Sequence, residues 1–119
     1  MVRKSRKLSP EERLLGSIFG KKFKKERLPL DLTPEQQQEL EVLVGELLGD
    51  LKYSQRIILQ LSYSLKYEEE RYYVYNIPEI SRILKTTLYR VVSIKDNAIK
   101  RLQHSSRKLR IEKFLKKIK

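Results

Sequence analysis

The sequence predicts an all-α protein, a small helical domain built around a helix-turn-helix. Helix-start signatures recur along the chain, and the apolar residues between them follow the three- and four-residue spacing of amphipathic helices. A chain of 119 residues supports one compact core. We expect five or six helices in two parts, a basic amino-terminal arm with a short helix over residues 1–32 and a helical domain over residues 33–119.

The first two helices begin at matching signatures. Ser9-Pro10-Glu11-Glu12 and Thr33-Pro34-Glu35-Gln36 each place a hydroxyl cap before a proline at the first helical position and a glutamate in the first turn. The first predicted helix covers residues 10–19 and ends near Gly20. The second closes at Gly49-Asp50, and its apolar face consists of Leu40, Leu43, Val44, Leu47 and Leu48.

The middle of the chain contains one more helix and a polar stretch. A third helix is expected over residues 53–65, with an apolar stripe formed by Ile57, Ile58, Leu61 and Leu65. Residues 66–75 contain three consecutive glutamates and four tyrosines. This composition predicts a loop or a short ribbon.

Two helices separated by a short turn follow. A helix restarts at Ile77 and runs to about Leu84, Lys85-Thr86-Thr87 makes the turn, and a longer helix covers residues 87–103 before a last, very basic one from Ser105. This pattern is typical of a helix-turn-helix, whose second helix enters the major groove of DNA. A plain helical bundle with solvated lysines explains it about as well. The DNA-binding residues predicted here are Lys85, Thr86, Thr87, Leu88, Tyr89, Arg90, Ser93 and Lys95.

Charge is distributed unevenly along the chain. The formal net charge is +12, and a field of this sign attracts phosphate backbones or anionic lipid. Residues 1–27 carry +7, residues 28–50 carry −6, residues 51–75 carry +1 and residues 76–119 carry +10. We expect the acidic segment to repel nucleic acid locally and so to orient whatever binds.

Composition argues against several classes of protein. The chain has no cysteine and one histidine, which leaves no disulfide framework, thiol nucleophile or histidine metal site. No nucleophile with a base and no phosphate-cradling glycine loop is recognisable, so we expect neither an enzyme nor a cofactor. Apolar runs are too short for a membrane span or a signal peptide. A cytoplasmic protein without a membrane partner is expected.

The second half of the chain contains several stretches that match, in the same order along the sequence, the helices of one family of DNA-binding domains. Residues 51–65 match its first helix, and residues 75–80 match the start of its support helix. Thr87 stands at the threonine that opens its recognition helix. The most specific stretch is residues 101–107, RLQHSSR, followed by Phe114-Leu115. Residues 51–115 thus resemble region 4 of bacterial primary sigma factors, their carboxyl-terminal helix-turn-helix domain.

The base-reading positions depart from that family. Where it usually carries Arg, Glu, Arg and Gln, this chain has Leu88, Tyr89, Val92 and Ser93, although Arg90 is kept. Leucine and valine offer DNA only apolar contact, for instance with a thymine methyl group. The resemblance implies a transcription regulator that binds duplex DNA, alone or on RNA polymerase. The alternative is a protein that docks on the beta flap of core RNA polymerase, with DNA contact secondary.

Three further features allow two interpretations each. Tyr72, Tyr73 and Tyr75 either edge a core or stack on bases. His104 is interpreted as a capping or packing residue rather than a ligand. Residues 10–21 resemble a short stretch of the bacterial RNA polymerase beta subunit, which hints at mimicry of a polymerase surface, but a generic amphipathic helix explains them equally well.

Overall fold

The computed structural model describes residues 8–118. The prediction of a mostly helical protein is confirmed, although the described residues form seven helices instead of the five or six expected, together with one two-stranded hairpin. The elements are α1 (Pro10–Phe19), α2 (Lys21–Arg27), α3 (Pro34–Gly49), α4 (Tyr53–Tyr63), β1 (Lys66–Tyr67), β2 (Glu70–Arg71), α5 (Ile77–Ile83), α6 (Leu88–Leu102) and α7 (Ser105–Lys117).

The predicted helix starts are confirmed, including their capping chemistry. The Ser9 hydroxyl accepts a hydrogen bond from the Glu12 amide at 3.2 Å, and the Glu12 carboxylate accepts one from the Ser9 amide at 2.9 Å. Thr33 and Gln36 form the same reciprocal pair at the start of α3. These contacts satisfy amide groups that have no partner inside the helix. The first helix ends as predicted, because Gly20 takes a φ of 100° that favours glycine.

Helix α2 was not predicted. It has five cations in seven residues and no apolar stripe. Its one aromatic residue, Phe23, stacks against Phe19 of α1 with ring centroids 4.8 Å apart, and the Arg27 guanidinium lies 5.8 Å from the Phe23 ring centroid. Contact with α1 therefore stabilises a segment whose own pattern does not predict a helix.

The polar stretch after α4 is a short ribbon, one of the two predicted possibilities. Strands β1 and β2 pair antiparallel, with Lys66 opposite Arg71 and Tyr67 opposite Glu70. Helix α4 ends two residues earlier than predicted, because Ser64 takes a left-handed conformation with a φ of 62°. This residue turns the chain from α4 into the hairpin.

Two hydrophobic cores lie side by side and share α4 and α6. The second core is formed by Ile58 and Leu61 of α4, Ile80 of α5 and Val91 of α6. The first core is larger and draws on α1, α3, α4, α6 and α7; its buried members are Leu14, Leu15, Ile18, Leu40, Val44, Leu47, Leu48, Leu51, Leu59, Tyr63, Leu65, Ala98, Leu102, Ile111, Phe114 and Leu115. The amino-terminal half of α6 belongs to the second core and its carboxyl-terminal half to the first.

Helix α1 packs inside the first core, although its sequence suggested an arm. The Arg13 guanidinium donates to the Tyr63 carbonyl, and the Gln103 side-chain amide donates to the Ile18 carbonyl, both at 3.0 Å. The boundary at residue 32 stays a prediction, and residues 1–7 lie outside the described part. The apolar residues that carry the likeness to the polymerase beta subunit are buried, which favours the amphipathic-helix interpretation.

Two buried carboxylates hold α1 to its neighbours. Glu12, 3% exposed, accepts a hydrogen bond from the Leu30 amide at 2.7 Å. Glu11, 1% exposed, lies 3.4 Å from an Arg71 nitrogen of the hairpin and accepts from the Gln37 side-chain amide of α3 at 3.2 Å. Charged side chains are almost never buried unless they are paired, so these contacts explain why both carboxylates lie inside.

Candidate nucleic-acid interface

Helices α5 and α6 are joined by a tight four-residue turn and pack together on α4. Lys85 takes a left-handed φ of 54°, and its amide donates to the Arg82 carbonyl at 3.2 Å. The Thr86 amide donates to the Ser81 carbonyl at 2.9 Å. With Ile80 and Val91 in the second core, the turn holds the start of α6 in one fixed position.

The start of α6 is capped as predicted and is exposed to solvent. The Thr87 hydroxyl accepts a hydrogen bond from the Arg90 amide at 3.1 Å. Leu88 is 50% exposed, Tyr89 is 83% exposed and Val92 is 42% exposed. Large side chains at the start of a helix, unpacked against the rest of the protein, form a surface that is able to enter a groove or contact a partner.

The structure brings most of the predicted site residues together. Those exposed at the turn and in the first turn of α6 are Lys85, Thr87, Leu88, Tyr89 and Arg90. Thr86 and Ser93 are half-buried beside them. Lys95 is different: it lies about two helical turns further along, and its ammonium group is 5.2 Å from the centroid of the Tyr63 ring of α4. The structure therefore does not bring Lys95 to the first turn of α6.

Sequence reasoning missed one cation at this end of the molecule. Arg82, in the last turn of α5, is exposed, as are Lys85 in the turn and Arg90 in the first turn of α6. None of these three side chains forms an ion pair with any of residues 8–118. The sequence could have identified Arg82 by its position at the end of the predicted helix, shortly before the connection at residues 85–87. These three cations, which have no anionic partner in the described part of the chain, are available to phosphate groups.

Three of the six carboxylates in the acidic segment, residues 28–50, pair with the basic helix α7. Glu39 of α3 lies 2.7 Å from the Lys117 ammonium, and Glu46 lies 2.6 Å from an Arg110 nitrogen. Asp50 lies 3.5 Å from Arg107 and 3.7 Å from Arg110. Three of the six cations of α7 therefore have an anionic partner, whereas the three cations near the α5–α6 turn have none among residues 8–118.

Two other predictions have structural counterparts. His104 occupies the position before α7, but its side chain makes no capping hydrogen bond, and its Nδ1 lies 3.3 Å from the Ser106 hydroxyl. Tyr73 is 83% exposed, whereas Tyr72 and Tyr75 pack against the second core. Core packing thus accounts for two of the three tyrosines.

The described part of the chain has neither a metal-binding cluster nor a membrane-spanning helix. Residues 8–118 contain no group of three histidine, aspartate or glutamate side chains able to hold a metal ion. Among the same residues, no helix has the length and apolar character needed to cross a membrane. No protein-family model, curated protein or solved structure matches the chain.

Proposed function

We propose that this protein is a transcription regulator that binds duplex DNA by placing the start of α6 in the major groove, with α5 and α6 acting as a helix-turn-helix like that of sigma region 4. One observation carries the proposal. The first turn of α6 is exposed on a rigid three-helix core and is flanked by Arg82, Lys85 and Arg90, which are unpaired within residues 8–118.

In this proposal, the turn between α5 and α6 binds the phosphate backbone of DNA. A helix amino end presents free amide groups and a partial positive charge, both of which favour a phosphate. Lys85, two residues before the capping residue Thr87, adds a full charge near the same place. These contacts position the protein on the duplex without reading its sequence.

The bases are read by Arg90 and Tyr89 on the exposed side of α6. Arginine pairs bidentately with guanine. Leu88 and Val92 supply apolar contacts suited to thymine methyl groups, so the preferred sequence differs from the promoter element read by the family this domain resembles. A site that combines guanine with thymine is expected.

The test begins with selection of a preferred duplex from a random pool, followed by fluorescence anisotropy. Arg90→Ala is expected to weaken binding to that duplex by about 1–3 kcal/mol and to remove preference at one position. Lys85→Ala is expected to weaken all sequences alike and to lower the slope of log K against log salt by about 0.9. Lys22→Ala, an exposed lysine of α2, is the matched control. Unchanged DNA affinity in both Arg90→Ala and Lys85→Ala would contradict the proposal.

The second candidate function is docking on core RNA polymerase, and the exposed leucine and valine favour it. Leu88 and Val92 are apolar, stand one turn apart and are about half exposed. Solvent-exposed apolar patches commonly mark protein contacts. A pull-down with core polymerase separates the two functions: loss of polymerase binding in Leu88→Ala/Val92→Ala, with DNA affinity retained, favours docking.

A further inference from the structure

A basic concavity lies at the other end of α6 from the proposed DNA-reading surface. It is shallow and open to solvent, with a volume of about 640 Å³. It is formed where the start of α4, the last two turns of α6 and the start of α7 meet. The side chains that line it and matter here are Gln55, Asn97, Lys100, Arg101, His104 and Arg107.

The lining is strongly cationic. Lys100, Arg101 and Arg107 contribute three positive charges, and no carboxylate of residues 8–118 lines the concavity. Lys100 and Arg101 are exposed and make no side-chain hydrogen bond or ion pair with other described residues. A concave surface of one charge concentrates its field and attracts counter-ions of the opposite sign.

One of the three cations is held in place. The side chain of Arg107 is 21% exposed, and its Nε lies 3.5 Å from the Asp50 carboxylate. The same carboxylate also faces Arg110 at 3.7 Å, but Arg110 has a closer partner in Glu46 at 2.6 Å. Asp50 therefore holds and partly neutralises Arg107, so Lys100 and Arg101 are the lining cations without an ion pair to other described residues.

The donors in the concavity suit a phosphate group. Arginine binds phosphate through two parallel N–H donors, and lysine binds it as a compact charge. The Asn97 side-chain amide adds a neutral donor at the rim. We infer that this concavity binds a phosphate group, either of a nucleic-acid backbone or of a small phosphorylated molecule.

This site is separate from the proposed DNA-reading surface. Helix α6 has 15 residues, so its two ends are about 21 Å apart at a rise of about 1.5 Å per residue. A phosphate bound beside Lys100 and Arg101 is therefore not the one bound by the turn at Lys85. The inference holds whether or not α6 reads DNA.

The test is an NMR titration of the full-length protein with sodium pyrophosphate at constant ionic strength. Saturable shifts are expected in the amides of residues 97–108. Lys100→Gln/Arg101→Gln is expected to weaken pyrophosphate binding at least about tenfold, because both charged donors are lost. The control Lys22→Gln/Lys25→Gln removes two exposed charges from α2 and is expected to change affinity by no more than about twofold.

Two further measurements identify the source of the phosphate. If it belongs to DNA, duplex DNA displaces pyrophosphate, and the Lys100→Gln/Arg101→Gln variant lowers the salt slope of DNA binding by about 0.9 for each lost contact. If it belongs to a small molecule, pyrophosphate binds equally well with duplex DNA present. Non-saturable shifts spread over α2 and α7, or equal losses in the two double variants, would overturn the inference.

Discussion

Replacing Arg71 with methionine is expected to lower the free energy of unfolding by roughly 2–3 kcal/mol. Its guanidinium lies 3.4 Å from the Glu11 carboxylate and 3.7 Å from that of Glu41, and Glu11 is 1% exposed. Removing one partner of a buried ion pair costs about 3–5 kcal/mol, because the other charge stays buried and unpaired. The Arg71 side chain is 34% exposed, so water screens the pair and the expected loss lies at or below the lower end of that range.

The measurement is urea unfolding followed by far-UV circular dichroism. Lys66→Met is the matched control, since Lys66 is a cation of the same hairpin that pairs with Glu69 at 3.6 Å. That pair is largely exposed, and its loss is expected to change the stability by less than about 0.5 kcal/mol. In the Arg71→Met background, Glu11→Gln is expected to recover part of the loss, because a neutral amide costs less to bury than an unpaired carboxylate.

Two outcomes would refute this reasoning. Equal stability of Arg71→Met and Lys66→Met would mean that Glu11 is not buried beside Arg71. A failure of Glu11→Gln to recover any stability would mean that the unpaired charge is not the source of the loss. Either result would favour the loosely attached amino-terminal arm that the sequence suggested.

Two more predictions use conformation and ionisation. Gly20→Ala is expected to destabilise the protein by about 1–3 kcal/mol, because alanine is strained at a φ of 100°. Gly45→Ala, in a helix with open space at its Cβ, is expected to stabilise the protein by about 0.5–1 kcal/mol. Changes of the same sign in the free energy of urea unfolding would contradict this pair of predictions. The Tyr72 hydroxyl donates to the Glu70 carboxylate at 3.1 Å, which stabilises the protonated phenol and raises the pKa of Tyr72 above its usual 10.0. In a pH titration of ¹³C-labelled tyrosine signals, Glu70→Gln is expected to lower that pKa, and an unchanged midpoint would count against the hydrogen bond.

The helices were predictable because their start signals are local. Ser9, Thr33 and Thr87 each accept a hydrogen bond from an amide three residues later, and such a contact depends only on the residues between. The apolar faces of α3 and α4 follow from the helical period in the same way. Local chemistry of this kind also predicted a turn at residues 85–87, which the structure extends by one residue to 84–87.

The features that could not be predicted from the sequence depend on packing between segments that are distant along the chain. Helix α2 forms because Phe23 meets Phe19, and its own composition carries no sign of that contact. Lys95 falls within the predicted site by position, but the ring of Tyr63, 32 residues earlier, lies beside its ammonium group. The concavity at Lys100 and Arg101 arises only where three helices meet, so no single segment could reveal it.

The sharing of α4 and α6 between the two cores has a consequence for dissecting the protein. A fragment beginning at Leu51 would contain both helices and the whole turn between α5 and α6. It would also lack α1 and α3, which pack in the same core as Leu59, Ala98 and Leu102. These three residues have no exposed surface in the intact chain. Those residues lie on α4 and α6, the same helices that support the first turn of α6. The fragment would therefore expose an apolar surface that is buried in the intact chain. The smallest fragment that keeps the α5–α6 turn on an intact core is therefore expected to include α1 and α3 as well as the helix pair.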